Sequence, residues 1–346
     1  MSRVHAIPRI NTWHDAMRLQ VLKWGCLTMV AFLTACSSVP TNPTAAPSPP
    51  ATATSTSTNP LPPAATSWPT APSGTVTAAP AKRVAHIGLA LGGGAARGFA
   101  HVGVIQALEE AGIRPELVAG TSAGSLVAAL YASGKDSTQL KRIADSMEEA
   151  EITDWMIPIL NRGALRGEAL ARYVSTQVGG LNIENMKIPL GIVATDLQSG
   201  EAVVFRRGNT GTAVRASSAV PGVFQPVKVG SREYVDGGLV APVPVKQARD
   251  MGANFVIAVD ISSDPEGNPA GDTFQILMQT FAIMGKSINQ YGLKEANLVV
   301  RPPLLGVKSA DFTARRRSIE AGHSAMQKLL PRLRELLVQF ESSHTE

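Results

Sequence analysis

The residue with the clearest chemical potential is Ser122, which lies in the short segment Gly120-Thr121-Ser122-Ala123-Gly124. Residues 116–119 predict a short buried strand before it, and residues 125–131 predict the apolar start of a helix after it. A serine on so sharp a turn presents its hydroxyl to a substrate carbonyl, and Gly120 and Gly124 leave room for the neighbouring backbone. The pattern indicates a nucleophilic serine; the alternative is a tight turn of small residues without chemistry.

A second segment, Gly92-Gly93-Gly94-Ala95-Ala96-Arg97-Gly98, joins a predicted strand at 84–91 to a predicted helix at 99–111. Its glycines leave backbone N–H groups uncovered, so the loop can hold an anion. A dinucleotide-binding turn requires glycine at its first, third and sixth positions, and Arg97 takes the sixth position here. We therefore expect no nucleotide and interpret the loop as an oxyanion hole for Ser122. Its predicted members are Gly92, Gly93, Gly94, Ala95, Arg97 and Gly98, with Arg97 fixing the loop or attracting an anionic head group.

A nucleophilic serine needs a base, and three aspartates follow apolar, strand-like runs, namely Asp196, Asp236 and Asp260. Only Asp236 is followed by two glycines, Gly237 and Gly238, which would let backbone and substrate approach its carboxylate closely. This context favours Asp236 among the three, whereas Asp196 and Asp260 are expected to orient loops.

Histidine is the more usual base. In the α/β-hydrolase chain order of Ser, acid and His, only His323 is a candidate, because His344 lies in the polar tail. His323 falls in a predicted helix at 318–337, where a surface or packing role is favoured. His101 follows the glycine loop and is expected to be a helix-packing residue.

Taken in chain order, these segments resemble the patatin-like phospholipases of bacteria, a family related to the plant patatins and to the catalytic domain of neuropathy target esterase. The matching segments span most of residues 84–262. They are residues 92–98 with 101–103, then 120–124, 194–197 with 200–201, 215–224 and 236–238.

The resemblance implies a three-layer α/β fold and a Ser–Asp dyad, in which Ser122 attacks the ester and Asp236 takes its proton. It also implies that amides near Gly93, Gly94 and Ala95 stabilise the oxyanion, without a metal or other cofactor. The implied reaction is hydrolysis of lipid esters, with a phospholipid or lysophospholipid as substrate. Since an aspartate ordinarily has a pKa of about 4, such a dyad works only in a partly dry site. A lipid-binding lipoprotein without catalysis is the alternative from another class.

The N-terminal segment predicts export. Residues 24–35 form an apolar stretch, preceded by Arg18 and Lys23, that is too short to span a bilayer and has the layout of a secretory signal. It ends in Leu33-Thr34-Ala35-Cys36, which resembles a bacterial lipoprotein signal with Cys36 as the lipidated residue. An ordinary signal with an incidental cysteine is the alternative, and Met17 is a second candidate start.

Residues 37–81 are predicted to be a disordered tether, because they are rich in Pro, Thr, Ala and Ser and cannot build a core. The only cysteines are Cys26 and Cys36, so the mature chain would lack disulfides. The chain's formal net charge of +5 gives no nucleic-acid signature. We expect an enzyme of the cell envelope that is anchored by lipid on the periplasmic side, with outer-membrane sorting favoured.

Residues 82–346 are predicted to form one α/β domain. Strand-like runs alternate with helical ones, which favours a mainly parallel sheet with helices on both faces. The predicted strands are 84–91, 117–120, 188–195, 202–205, 254–260 and 297–301. An apolar helix at 274–288 could pack in the core, line an acyl-chain site or lie at an interface. The irregular apolar stretch 151–162 is predicted to be a lid or lipid-entry loop.

Overall fold

A computed structural model describes residues 83–154, 163–266, 271–308 and 311–343. The predicted signal peptide, its Cys36 and the predicted tether lie outside the described residues, so they remain predictions. In the described part of the chain, no helix combines the length and the apolar character that crossing a bilayer requires.

Ten strands and nine α-helices occur within the described ranges. The strands are β1 (Ile87–Leu91), β2 (Leu117–Thr121), β3 (Gly163–Leu165), β4 (Leu190–Asp196), β5 (Ala202–Phe205), β6 (Gly222–Phe224), β7 (Val227–Val229), β8 (Arg232–Asp236), β9 (Phe255–Val259) and β10 (Leu298–Val300). The helices are α1 (Phe99–Glu110), α2 (Ala123–Ala132), α3 (Ser137–Ser146), α4 (Glu149–Ile152), α5 (Glu168–Gln177), α6 (Thr210–Ser217), α7 (Val245–Asp250), α8 (Thr273–Gly292) and α9 (Arg315–Ser342).

The central sheet has the strand order β10-β9-β1-β2-β4-β8-β7, and β5 also pairs with β4. Five neighbouring strands, from β10 to β4 in this order, run parallel, whereas the pairs that involve β5, β7 and β8 are antiparallel. This arrangement confirms the predicted α/β class and the mainly parallel sheet. Since the parallel strands are buried on both faces, their sequences are nearly continuous apolar runs.

Helices cover both faces of this sheet, as predicted. Alternate side chains of a strand point to opposite faces. On one face, Leu89 and Leu91 belong to the larger apolar core, which also contains side chains of α1, α2 and α9. On the other face, Ala90 belongs to a smaller core with Val245 and Ala248 of α7. The central sheet is therefore the middle of three layers.

The topology brings three loops to one edge of the sheet. Because β1 and β2 are adjacent and parallel, the glycine loop after β1 and the turn at Ser122 emerge side by side. β4 lies between β2 and β8, with Val193 paired to Thr121 and Ala194 paired to Asp236. Ser122 and Asp236 therefore flank the carboxyl end of the same strand.

Candidate active site

Ser122 occupies a strained turn between β2 and α2. Its φ of 51° and ψ of −124° lie in a region that residues with a side chain rarely adopt, at a cost of about 1–3 kcal/mol. An added Cβ at Gly120 would lie 2.5 Å from the carbonyl oxygen of Gly124, and one at Gly124 would lie 2.1 Å from that of Leu91. The turn can form only because these two positions carry no side chain.

A second serine holds this turn in place. The backbone N–H of Ser122 donates to Oγ of Ser217 at 2.8 Å, and that hydroxyl donates to the carbonyl of Val193 at 2.5 Å. Ser217 is fully buried at the end of α6. Its sequence context predicts no such role, because nothing in its neighbourhood indicates contact with a residue almost a hundred positions earlier. The structure makes it a positioning residue for Ser122.

Asp236 is fixed by its backbone and points its carboxylate at Ser122. Its N–H donates to the carbonyl of Ala219 at 3.0 Å, and its carbonyl accepts from Oγ1 of Thr195 at 2.8 Å. The carboxylate accepts the N–H of Gly238 at 2.7 Å, and its interaction with the Ser122 side chain acts to lower its pKa. The structure thus joins the serine and the aspartate that the sequence analysis singled out.

Burial raises the pKa of Asp236 from an ordinary 3.8 to about 6, although the hydrogen bonds from Gly238 and Ser122 act in the opposite direction. The residue is only 4% exposed. A buried carboxylate without a compensating cation binds its proton more tightly than one in water. Asp236 is consequently a stronger base than a surface aspartate.

The glycine loop lies against Ser122, but several of its backbone amides already donate hydrogen bonds to backbone carbonyls. An added Cβ at Gly93 would lie 3.2 Å from Cβ of Ser122. The amide of Gly92 donates to Val259 O at 3.0 Å, and that of Gly93 donates to Pro242 O at 2.9 Å. The amide of Arg97 donates within the loop, to Gly94 O at 3.2 Å.

These bonds bear on the predicted oxyanion hole, because an amide that already donates to a carbonyl is less available to stabilise an oxyanion. The N–H groups of Gly92, Gly93 and Arg97 hold the loop instead. Among the described residues, no carbonyl accepts from the amides of Gly94 and Ala95. Ala95 has a φ of 51°, the second such value at a residue with a side chain, and borders the same cavity as Ser122.

The predicted member Gly98 has a packing role in this loop. It borders the same cavity, and an added Cβ there would lie 2.8 Å from Cβ of Ala123. Gly237, which follows Asp236, is similarly close to β4, because its added Cβ would lie 2.3 Å from Val193 O. Both glycines allow the segments around the serine and the aspartate to approach one another.

Two further side chains stabilise the glycine loop through hydrogen bonds to backbone carbonyls. His101 is fully buried, and its Nε2 lies 2.8 Å from Gly92 O. Burial lowers the pKa of His101 to about 4, and a carbonyl can only accept, so the neutral ring donates its Nε2–H. Nε of Arg97 donates to Ile261 O at 2.9 Å, which fits the loop-fixing role predicted for it.

The remaining candidate bases are engaged elsewhere. Nε2 of His323 contacts Oε2 of Glu110 at 2.7 Å, at the last residue of α1, whereas the glycine loop adjoins the first. Asp196 accepts from the amides of Gln198 and Ser199 and so orders a turn, as expected. Asp260 likewise accepts the amide of Ser262 at 3.1 Å and forms an ion pair with Arg301.

Comparison with known proteins agrees with this geometry. Residues 89–249 match the family described as patatin-like phospholipase. This chain carries a patatin-like phospholipase domain. The family supports lipid-ester hydrolase activity, and the match includes the glycine loop, Ser122 and Asp236.

Two groups of relatives share this domain. An uncharacterized NTE family protein of Mycobacterium tuberculosis is 40% identical over 187 residues, which cover 54% of this chain and 51% of that protein. Patatin-like phospholipase domain-containing protein 6 of Homo sapiens is 35% identical over 187 residues, which cover 52% of this chain and 14% of that protein. The chain thus spans about half the length of the mycobacterial relative and a smaller part of the human one.

Among solved structures, VipD from Legionella pneumophila has a TM-score of 0.50 and 15% sequence identity. The alignment covers 72% of this chain and 68% of that protein. At this identity the likeness shows the fold alone, and it confirms the patatin-like α/β architecture.

A cavity of about 370 Å³ opens beside Ser122 in the patatin-like domain. Ligand sites commonly have volumes of about 300–1,000 Å³. The walls are mainly apolar and include Phe99, Leu130, Leu140 and Met278. The helix predicted at 274–288 therefore contributes to this lining through Met278. Ile152 and Thr153 also border the cavity, but residues 155–162 of the predicted lid lie outside the described residues.

Proposed function

We propose that the patatin-like domain is a serine lipid acyl hydrolase of the phospholipase A or lysophospholipase type. The observation that carries this proposal is that Ser122 lies at the wall of an apolar cavity and interacts with the buried carboxylate of Asp236. A nucleophilic serine at the wall of an apolar pocket suits a substrate with one reactive ester and a long hydrocarbon chain.

In the proposed reaction, Oγ of Ser122 attacks the ester carbonyl while its proton passes to Asp236. The amides of Gly94 and Ala95 donate to the oxyanion that forms and stabilise it. Collapse of this intermediate breaks the ester C–O bond, and the proton on Asp236 moves to the departing alcohol. Asp236 then takes a proton from water, which attacks the acyl-serine. The C–O bond to Ser122 breaks, Asp236 returns the proton to Oγ of Ser122, and the fatty acid is released.

We expect the reaction to require ionised Asp236, so its pH dependence should follow the raised pKa of about 6. kcat/KM for a soluble ester should be constant above this pH and fall tenfold per unit below it, since only the carboxylate accepts the proton. A pH–rate profile from about pH 4 to about pH 9 checks this pH dependence. A midpoint near the ordinary 3.8 would contradict the desolvation of Asp236 in the working enzyme.

Membrane lipids are the proposed substrates, reached from a lipid anchor at Cys36 on the periplasmic side of the cell envelope. An exposed apolar face of α8 supports a lipid environment. Ile276, Ile283 and Met284 are 55%, 53% and 42% exposed, and the same helix contributes Met278 to the cavity wall. Exposed aliphatic side chains beside a binding pocket are typical of proteins that act at lipid surfaces.

Labelling with a fluorophosphonate tests the proposal directly. The full chain, purified in detergent, should form one covalent adduct at Ser122, located by mass spectrometry, and should release fatty acid from phosphatidylcholine vesicles. The Ser122→Ala variant is the control and should do neither. A folded parent protein that binds vesicles but is neither labelled nor active would favour the non-catalytic lipid-binding alternative.

A further inference from the structure

The cavity beside Ser122 has a direction that is set by α2 and α3. α2 begins directly after Ser122, and the four cavity residues it contributes are spaced along one helix face. They are Ala123, Leu126, Val127 and Leu130. The lining therefore follows α2 away from the serine for two helical turns.

The connection between α2 and α3 spans only residues 133–136, so the start of α3 lies near the end of α2. Leu140, near the start of α3, lines the same cavity as Leu130, near the end of α2 that is remote from Ser122. Ala144 lies one turn further along the same face of α3 and also lines the cavity. Both helices thus contribute to the wall of one channel.

Burial shows which end of the channel is closed. Ala123 and Leu126 are half-buried, whereas Leu130 and Leu140 are only 3% and 1% exposed. Among the described residues, Glu149 is the only charged one in the lining, and it is exposed. The described residues at the remote end, Leu130 and Leu140, therefore form an apolar floor.

We infer that Leu130 and Leu140 form the floor of an acyl-chain site that measures chain length. Leu130 follows Ser122 by eight residues, which corresponds to about 12 Å along the helix axis. An extended hydrocarbon chain advances about 1.25 Å per carbon, given C–C bonds of about 1.5 Å, so about ten carbons reach the floor. Medium-chain acyl groups fill the site, and longer chains leave their ends outside it. This inference rests on the proposed hydrolase function.

Hydrolysis of p-nitrophenyl esters from acetate to palmitate by the full-length protein tests whether the floor limits the length of the bound acyl chain. kcat/KM should rise about fourfold for each added methylene that becomes buried, and stop rising near decanoate. Ala144→Phe adds a large side chain to the cavity wall one helical turn from Leu140. Its ratio of kcat/KM for decanoate over butyrate should fall at least tenfold.

Leu140→Ala acts in the opposite sense, because a lowered floor should extend the rise in kcat/KM to esters longer than decanoate. Leu108→Ala is the matched control. Leu108 is also 1% exposed but does not line the cavity, so this variant should lose stability and keep the parent's chain-length profile. If Ala144→Phe fails to fold, Ala144→Val should show a smaller shift in the same direction.

The results separate this inference from the function on which it rests. A parent that hydrolyses short esters but shows no plateau up to palmitate would overturn the floor and leave the hydrolase proposal intact. An unchanged profile in both Ala144→Phe and Leu140→Ala would do the same. A folded parent that turns over none of the esters would overturn the proposed function itself.

Discussion

Ser122→Ala and Asp236→Asn are each expected to lower kcat for ester hydrolysis by about 10³–10⁴-fold or more. The first variant removes the atom that forms the acyl intermediate. The second keeps the shape of the side chain and can still accept from Gly238, but an amide cannot take the proton of Ser122. Steady-state turnover of a short p-nitrophenyl ester measures both effects. The rates are compared per amount of folded protein.

His323→Ala is the matched control for these variants. Its ring contacts Glu110 and not the serine, so activity should stay within about twofold of the parent, as for a surface substitution. Activity that survived Asp236→Asn and disappeared with His323→Ala would instead indicate a Ser–His–acid triad. That outcome would reassign the base while leaving Ser122 as the nucleophile.

Asp236→Asn should also stabilise the protein while it inactivates the enzyme. The folded pKa of about 6 lies above the ordinary 3.8, so between these values the folded state binds more protons and stability falls as pH rises. The full cost of ionising Asp236, about 3 kcal/mol, is present above pH 6 and absent below pH 3.8. The variant should therefore melt at a higher temperature than the parent at pH 8 and at a similar temperature at pH 4.

The sheet was largely predictable because its central strands are buried on both faces. β5 has the predicted bounds, and β2 extends the predicted strand at 117–120 by one residue. β3, β6 and β7 were not predicted, since each has three residues and no long apolar run. β1 begins at Ile87, three residues later than predicted, because the mostly exposed residues before it are not paired with a neighbouring strand.

The site was predictable as a set of residues but not as a set of bonds. The glycines around Ser122 and after Asp236 are local signals, because each reports a close approach of its own backbone. The amides of Gly92 and Gly93 instead donate to the carbonyls of Val259 and Pro242. These acceptors lie about 150 or more positions away in the sequence, so their hydrogen bonds leave no local signal. The raised pKa of Asp236 arises from burial by several elements, so it too could appear only in the folded structure.

Gly124→Ala is expected to lower the free energy of unfolding by about 3 kcal/mol or more. The new Cβ would lie 2.1 Å from Leu91 O and 2.7 Å from Gly92 O. Both are backbone atoms at the end of β1, so relief requires a shift of α2 or of the glycine loop. Thermal unfolding should show a melting temperature lower by about 10 °C, and ester turnover should fall because α2 carries Ser122 away from Asp236.

Gly292→Ala provides the matched control, because the same chemical change is made where nothing lies within 4 Å of the added Cβ. Gly292 ends α8 with a helical φ of −61°, so alanine there should raise stability by about 0.5–1 kcal/mol. Equal stability of the two variants would show that α2 does not approach β1 as closely as described. A loss confined to Gly124→Ala would instead establish that the position of the serine depends on contact between the backbones of α2 and β1.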